Sequence, residues 1–228
     1  MQTLSIIIPA YNEEKTVGAV LDTLIGLALP SWNKQIIAIN DGSTDGTEEA
    51  LAPYRSSITY ACHPTNRGKG AAIRTALALA TGDAVLIQDA DREYDPRDIL
   101  LLLAALSDER VHAVYGSRTQ NIWQSDRPHY AAGARLLTGL VNICFGTRLT
   151  DVYTCYKLVR ASTLKKLDLT SDGFECEMEI TAKLLMRACR IVEVPIRYTP
   201  RSFAEGKKIR ARDGLVGILT LIKNCLQR

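Results

Sequence analysis

Val85-Leu86-Ile87-Gln88-Asp89-Ala90-Asp91 is a short apolar run that ends in two carboxylates one residue apart. A strand buried on both faces of a parallel sheet reads as an unbroken apolar run rather than an alternating one. Ligands of open α/β sheets bind just past the carboxyl ends of such strands. Two carboxylates placed there repel each other unless a cation sits between them. A hard divalent metal, Mg²⁺ or Mn²⁺, held by oxygen ligands resolves that repulsion. Solvation at an ordinary strand-to-loop turn, where Asp is common, resolves it equally well. What surrounds the corner has to decide.

Working outward, strand and helix signals alternate. Residues 4–8, 36–39 and 58–61 read as strands, as do 111–115 beyond the corner. Between them, Val17, Val20, Leu21, Leu24 and Ile25 fall at helical spacing behind Asn12, read as the cap. A short helix ends near Pro53, an Ala/Leu helix covers 70–80, and a Leu-rich helix follows Pro96 at its first turn. This order predicts an α/β fold with a mostly parallel central sheet and helices on both faces. Further on, 131–145 and 175–187 are helical in pattern, 152–159 and 191–196 read as strands, and 215–226 is a last apolar stretch.

The chain has 228 residues, 46% hydrophobic and 23% charged, which suits one large globular domain with a full core. A formal charge of +3 is too slight to indicate nucleic acid. The charge is uneven, however: Arg201, Lys207, Lys208, Arg210 and Arg212 face only Glu205 in that segment. Six cysteines without a CxxC pair read as reduced thiols, mostly core filler. With no signal peptide and no apolar run of spanning length, the expectation is a cytoplasmic protein, at most peripheral on a membrane.

Three polar loops follow the first three strands and converge at one sheet edge. They are Pro9-Ala10-Tyr11-Asn12-Glu13-Glu14, Asn40-Asp41-Gly42-Ser43-Thr44-Asp45-Gly46 and Pro64-Thr65-Asn66-Arg67-Gly68-Lys69-Gly70. Asp41 can accept hydrogen bonds from a base or ribose, and Tyr11 offers a ring face. Gly68 and Gly70 permit close backbone approach at a helix N-terminus, where anions are favoured, and Lys69 adds charge for a diphosphate. Each loop is also a fair solvated turn; their ordered conjunction is the signal.

With these loops, Asp89-Ala90-Asp91, Tyr115-Gly116-Ser117-Arg118, Gly173-Phe174-Glu175-Cys176-Glu177 and the segment from Pro200 to Lys208, the chain resembles family 2 glycosyltransferases of the GT-A fold. Within them it is similar to dolichol-phosphate mannose synthases and polyprenyl-phosphate glycosyltransferases. The resemblance implies a single GT-A domain over 1–228, nucleotide-binding to about residue 118 and acceptor-binding from about 119. It implies that Pro9, Tyr11, Glu13 and Asp41 hold the nucleoside of a GDP- or UDP-sugar, with Lys69 and Asp89 near ribose and diphosphate. Asp89 and Asp91 match the metal-binding DxD pair, with Glu93 a third oxygen ligand. Arg118, Arg201 and Lys207 match positions that neutralise donor or acceptor phosphates. Two departures stand out: Asn40 where many relatives have a second Asp, and Cys155 where many have Gly.

The reaction so implied is inverting displacement at the anomeric carbon. A sugar hydroxyl acceptor needs a general base, for which Asp151, Glu175 and Glu177 are candidates. A lipid monophosphate is already ionised near neutral pH and needs cations instead. The preferred reading is a polyprenyl or dolichyl phosphate acceptor, with Asp91, Arg118 and Asp151 in catalytic positions. Basic residues beside the apolar positions of 131–145 and 215–226 suit shallow contact with a membrane, and core packing explains those apolar positions as well. A nucleotidyltransferase normally has a Gly-rich basic loop after its first strand, which this chain lacks. A non-catalytic nucleotide-binding subunit has no need of both Asp89 and Asp91.

Overall fold

The structure is a computed structural model describing residues 1–119, 128–201, 208 and 211–226, with the side chains of 128–131 and 211 excepted. Its elements run β1 (Gln2–Ala10), α1 (Val17–Gly26), β2 (Trp32–Asn40), α2 (Thr47–Leu51), β3 (Thr59–Cys62), α3 (Lys69–Leu79), β4 (Ala84–Ile87) and α4 (Ile99–Leu106). There follow β5 (Ala113–Ser117), α5 (Pro128–Phe145), β6 (Lys157–Arg160), α6 (Ala161–Leu164), α7 (Cys176–Met186), β7 (Ile191–Pro195) and α8 (Ala211–Leu226).

The strands form one seven-stranded sheet in the order β3-β2-β1-β4-β6-β5-β7. All neighbours are parallel except β6, which runs antiparallel to both β4 and β5. In β1, Ile6, Ile7 and Ile8 are all fully buried although successive side chains point to opposite faces. Both faces of the sheet are therefore covered, as the unbroken apolar strands require. Each such isoleucine contributes about 1.5–3 kcal/mol of burial. Chain order reverses direction at β1, whose neighbours are β2 on one side and β4 on the other. That switch point lies at the carboxyl ends of β1 and β4, the place where open α/β sheets bind their ligands. A second, smaller core joins α5, α7 and α8 through Leu137, Val141, Met178, Ala182 and Leu221.

Three local expectations are corrected. Asn12 does not cap α1: it sits at φ 51°, its side chain accepts the Thr44 N–H at 2.8 Å, and the helix starts at Val17. The strand expected over 152–159 is confined to Lys157–Arg160. Just before it, the Cys155 N–H donates to the Tyr94 hydroxyl and the Tyr156 N–H to Thr154 Oγ1, so these donors go to side chains, not to a ladder. Finally, only Cys155 and Cys176 are buried; Cys62 and Cys144 are exposed, and none of the six is in a disulfide.

Candidate active site

Four chain segments meet at this switch point. The loops after β1 and β2 are tied together by Asn12, whose N–H donates to Ser43 Oγ at 3.0 Å. The loop after β3 is tied to them by Asp41, which accepts the N–H groups of Arg67 and Gly68 at 3.0 and 2.8 Å. The expected convergence of three strand-end loops is thus present, with the β4 corner beside it.

At that corner the two carboxylates face different cations. Lys69, at the start of α3, places its ammonium 2.7 Å from Asp89 and 2.9 Å from Glu177. Arg201 reaches Asp91 at 3.0 Å and grips both oxygens of Glu13 at 2.7 and 2.9 Å. Glu93 accepts the Arg201 N–H at 2.9 Å and the Tyr198 hydroxyl at 2.7 Å. Lys208 also pairs with Glu13 and lies 6.0 Å above the Tyr11 ring. Glu177 joins a second lysine, Lys157, which is completely buried at the start of β6.

These neighbours set the ionisation of the corner. Burial alone raises a carboxyl pKa, yet Lys69 outweighs burial at Asp89 and holds it below the usual range. Asp91 goes the other way. Burial together with Asp89 and Glu93 pushes it up to about 7, with Arg201 opposing. Lys69 and Arg201 are both raised despite burial, because of the acidic groups they face.

Among the described residues, no three His, Cys, Asp or Glu side chains converge on a ready-made metal cage. The reason is geometric: Asp89 is turned to Lys69, and Asp91 and Glu93 to Arg201. The donor chemistry nevertheless fits a hard divalent ion. Among the described residues the carboxylates of Glu13, Asp89, Asp91, Glu93 and Glu177 gather here beside Lys69, Lys157, Arg201 and Lys208, and oxygen donors of this kind suit Mg²⁺ or Mn²⁺.

Other expected site residues have different surroundings. Arg118 and Asp151 form a buried two-pronged ion pair, Nε to Oδ2 at 2.7 Å and Nη2 to Oδ1 at 2.9 Å. The Arg118 N–H also donates to Asp151, its Nη1 donates to the Tyr94 hydroxyl at 3.2 Å, and the Tyr198 ring lies 5.0 Å from the guanidinium. Asp151 is therefore committed to Arg118, as Glu177 is to two lysines. Gly68 and Gly70 make a close approach, but to the chain itself: a Cβ on either would fall within 2.3 Å of the Asp172 or Ser171 carbonyl oxygen. The Asp172 carbonyl also accepts the Gly70 N–H at 2.7 Å, so this helix terminus is spent on segment 171–173 instead of standing open to phosphate. Pro9 is half-buried near the end of β1, beside the loop that carries Tyr11. Lys207 lies outside the described residues.

Sequence reasoning missed Lys157, Tyr94, Tyr198 and His63. A lysine inside the apolar run Cys155-Tyr156-Lys157-Leu158-Val159 was the available signal for a buried ion pair. His63 lies 2.5 Å from Asp41, and only the fold brings the ends of β2 and β3 together.

The doubly covered, mostly parallel sheet with an acidic corner at its switch point is the architecture expected of the GT-A fold. Residues 5–168 match the model of the family described as Glycosyl transferase family 2. The chain belongs to that family. It is 30% identical to an undecaprenyl-phosphate mannosyltransferase of Micrococcus luteus, over 92% of this chain and 88% of that protein. It is 28% identical to an undecaprenyl-phosphate 4-deoxy-4-formamido-L-arabinose transferase of Edwardsiella ictaluri, over 91% of this chain but 63% of that protein. A low-salt glycan biosynthesis hexosyltransferase of Haloferax volcanii is 27% identical over 87% of this chain, which spans only 48% of that protein. Among solved structures, glucosyl-3-phosphoglycerate synthase from Mycobacterium tuberculosis, crystallised with Mn²⁺, UDP-glucose and phosphoglyceric acid, superposes with a TM-score of 0.75. It covers 98% of this chain and 80% of that one at 22% identity, a likeness of fold.

Proposed function

We propose that this protein is an inverting hexosyltransferase that passes a sugar from a nucleoside diphosphate sugar to a polyprenyl phosphate. One observation carries the choice of acceptor: the candidate bases are already engaged. Asp151 is locked to Arg118, Glu177 is held by the completely buried Lys157, and Glu175 accepts the Gly173 N–H at 2.9 Å. A hydroxyl nucleophile must lose a proton to such a base. A phosphate monoester, with a second pKa near 6, is already mostly ionised at neutral pH. Relatives named as undecaprenyl-phosphate sugar transferases support the same acceptor class.

In this reading residues 1–118 take the donor and 119–228 the acceptor. Asp41 meets the base, Pro9 and Tyr11 flank it, and Lys69, Arg201 and Lys208 turn from their carboxylates toward phosphate. Lys207 extends that basic segment. Asp89 and Asp91, with Glu93, would hold Mg²⁺ or Mn²⁺, which when bound offsets the charge that develops on the leaving diphosphate. Arg118, with Asp151 and the Tyr94–Tyr198 pair around it, braces Glu93 from behind through the Tyr198 hydroxyl.

No helix among the described residues is long and apolar enough to cross a membrane. A lipid acceptor is instead reached from the surface. On α8, Leu215, Leu219, Ile222 and Leu226 recur at helical spacing and are 65, 64, 49 and 82% exposed. Ile143 and Leu136 on the adjoining α5 are 82 and 62% exposed, with Arg135, Arg212 and Lys223 also on the surface. An apolar face with basic neighbours docks shallowly on an anionic bilayer.

The test is a radiolabelled sugar-nucleotide panel offered with polyprenyl phosphate or with simple sugars, with and without EDTA. Label entering the organic phase only when metal is present is the expected result. Label confined to water-soluble glycans would establish a hydroxyl acceptor instead.

A further inference from the structure

Asp41 ends as a carboxylate almost fully enclosed by its own chain. Its Oδ1 takes two donors, the His63 ring at 2.5 Å and the Arg67 N–H at 3.0 Å. Its Oδ2 takes one, the Gly68 N–H at 2.8 Å. Behind His63, the Thr75 hydroxyl on α3 lies 2.9 Å from Nε2. Thr75 donating to Nε2 leaves the ring proton on Nδ1, facing Asp41, a tautomer assigned from this network. An ionised carboxylate has about four lone-pair directions, two on each oxygen. Here His63, Arg67 and Gly68 use three of them, and the fourth belongs to Oδ2. Only 3% of the Asp41 side chain is exposed, room for one further contact.

We infer that His63 is a specificity-determining residue that restricts the base pocket to pyrimidines with a single imide N–H, so that the donor is a uridine or thymidine diphosphate sugar. The inference rests on the reading above in which Asp41 meets the base. Guanine presents two adjacent N–H donors along its Watson–Crick edge. A carboxylate satisfies both only by offering one lone pair from each oxygen, and His63 together with Arg67 has filled Oδ1. Guanine would leave one donor buried without a partner, the arrangement by which binding sites discriminate most strongly. Uracil and thymine carry one N–H between two carbonyls and need one acceptor. Cytosine has an acceptor at the same ring position and would face Asp41 with repulsion. His63 thus acts through Asp41, removing the lone pair that guanine needs, while adenine, with an acceptor at N1, meets Asp41 with the same repulsion as cytosine.

Calorimetric titration of the purified chain with UDP, dTDP, GDP, CDP and ADP in Mg²⁺ tests this. UDP and dTDP are expected to bind about tenfold or more tightly than GDP, a gap of about 1.4 kcal/mol. His63→Leu, which frees a lone pair on Oδ1, is expected to bring the UDP-to-GDP ratio to within about threefold. His63→Gln, whose amide can still donate to Asp41, should keep the wild-type ratio. Thr75→Val, which removes the support for the ring, should lower it part of the way. If His63→Leu does not fold, the wild-type ratio and the Gln and Val variants still decide. GDP binding as tightly as UDP to the wild type would overturn the inference and leave the donor reading standing; an unchanged ratio in His63→Leu would remove His63 from it. Binding of none of the five nucleotides would overturn the donor reading itself.

Discussion

Arg201 grips Glu13 with both terminal nitrogens, at 2.9 and 2.7 Å, across 188 residues of chain. The contact joins the loop after β1 to the segment that follows β7, and it carries the same guanidinium to within 3.0 Å of Asp91. A cation from the second half of the chain thus lies against the corner where an ion would be expected.

Arg201 should therefore compete with a divalent ion for Asp91. Two unit charges about 4 Å apart interact by about 1 kcal/mol even when fully screened by water, so a roughly fivefold change in affinity is the least expected at this largely buried corner. Arg201→Gln is expected to bind Mn²⁺ alone at least about fivefold more tightly, read by Mn²⁺ electron paramagnetic resonance without nucleotide, while sugar transfer falls. An Mn²⁺ affinity equal to wild type would show that the guanidinium does not screen the corner.

Asp151, read from the sequence as catalytic, is predicted to matter first for stability. Removing one member of a buried ion pair leaves the other uncompensated and costs about 3–5 kcal/mol. Asp151→Asn should lower the urea midpoint by a corresponding amount, and Arg118→Met combined with Asp151→Leu should recover most of it. A single variant with wild-type unfolding and lost transfer would return Asp151 to the chemistry.

Glu179 on α7 offers a pH test. Burial raises its pKa, but Lys183 and the N–H groups of Ser171 and Thr170 outweigh burial and hold it at about 2, below the ordinary 4.5. A depressed folded pKa means that the carboxylate stabilises the fold above the unfolded value and loses that effect as pH falls toward 2. The full contribution is at most about 3 kcal/mol. Glu179→Gln should unfold more readily at pH 7 and lose stability less steeply between pH 5 and 2, measured by denaturant titration at each pH. Parallel curves for variant and wild type would dissociate Glu179 from acid unfolding.

Asn40 explains itself in the fold. Its amide nitrogen donates to Glu48 Oε2 at 2.8 Å while its oxygen accepts the Ser43 N–H at 3.0 Å. An aspartate there would set one carboxylate against another. Asn40→Asp should destabilise by about 1–3 kcal/mol, and adding Glu48→Gln should restore the loss, as read by thermal unfolding. An unaffected single variant would mean that the pair relaxes apart.

Much of the frame was legible in residues 4–115, because buried parallel strands and amphipathic helices write period and polarity directly into sequence. The loops after β1, β2 and β3 and the carboxylate corner could be placed at one edge for the same reason: the strand order in an α/β fold constrains where loops emerge. Roles inside the site were less legible. Gly68 and Gly70 looked like a phosphate cradle but dock against segment 171–173, since a glycine permits close approach without saying to what.

What Val85 to Asp91 determined alone was a buried strand ending in two acids, since apolar content and spacing are local properties. Which cation each acid faces, that Asp151 belongs to Arg118, that Lys157 can be fully buried, and that His63 occupies part of Asp41 were decided only by tertiary structure. Ion pairing and hydrogen-bond valence depend on groups brought together from distant parts of the chain, and sequence spacing carries no record of those distances.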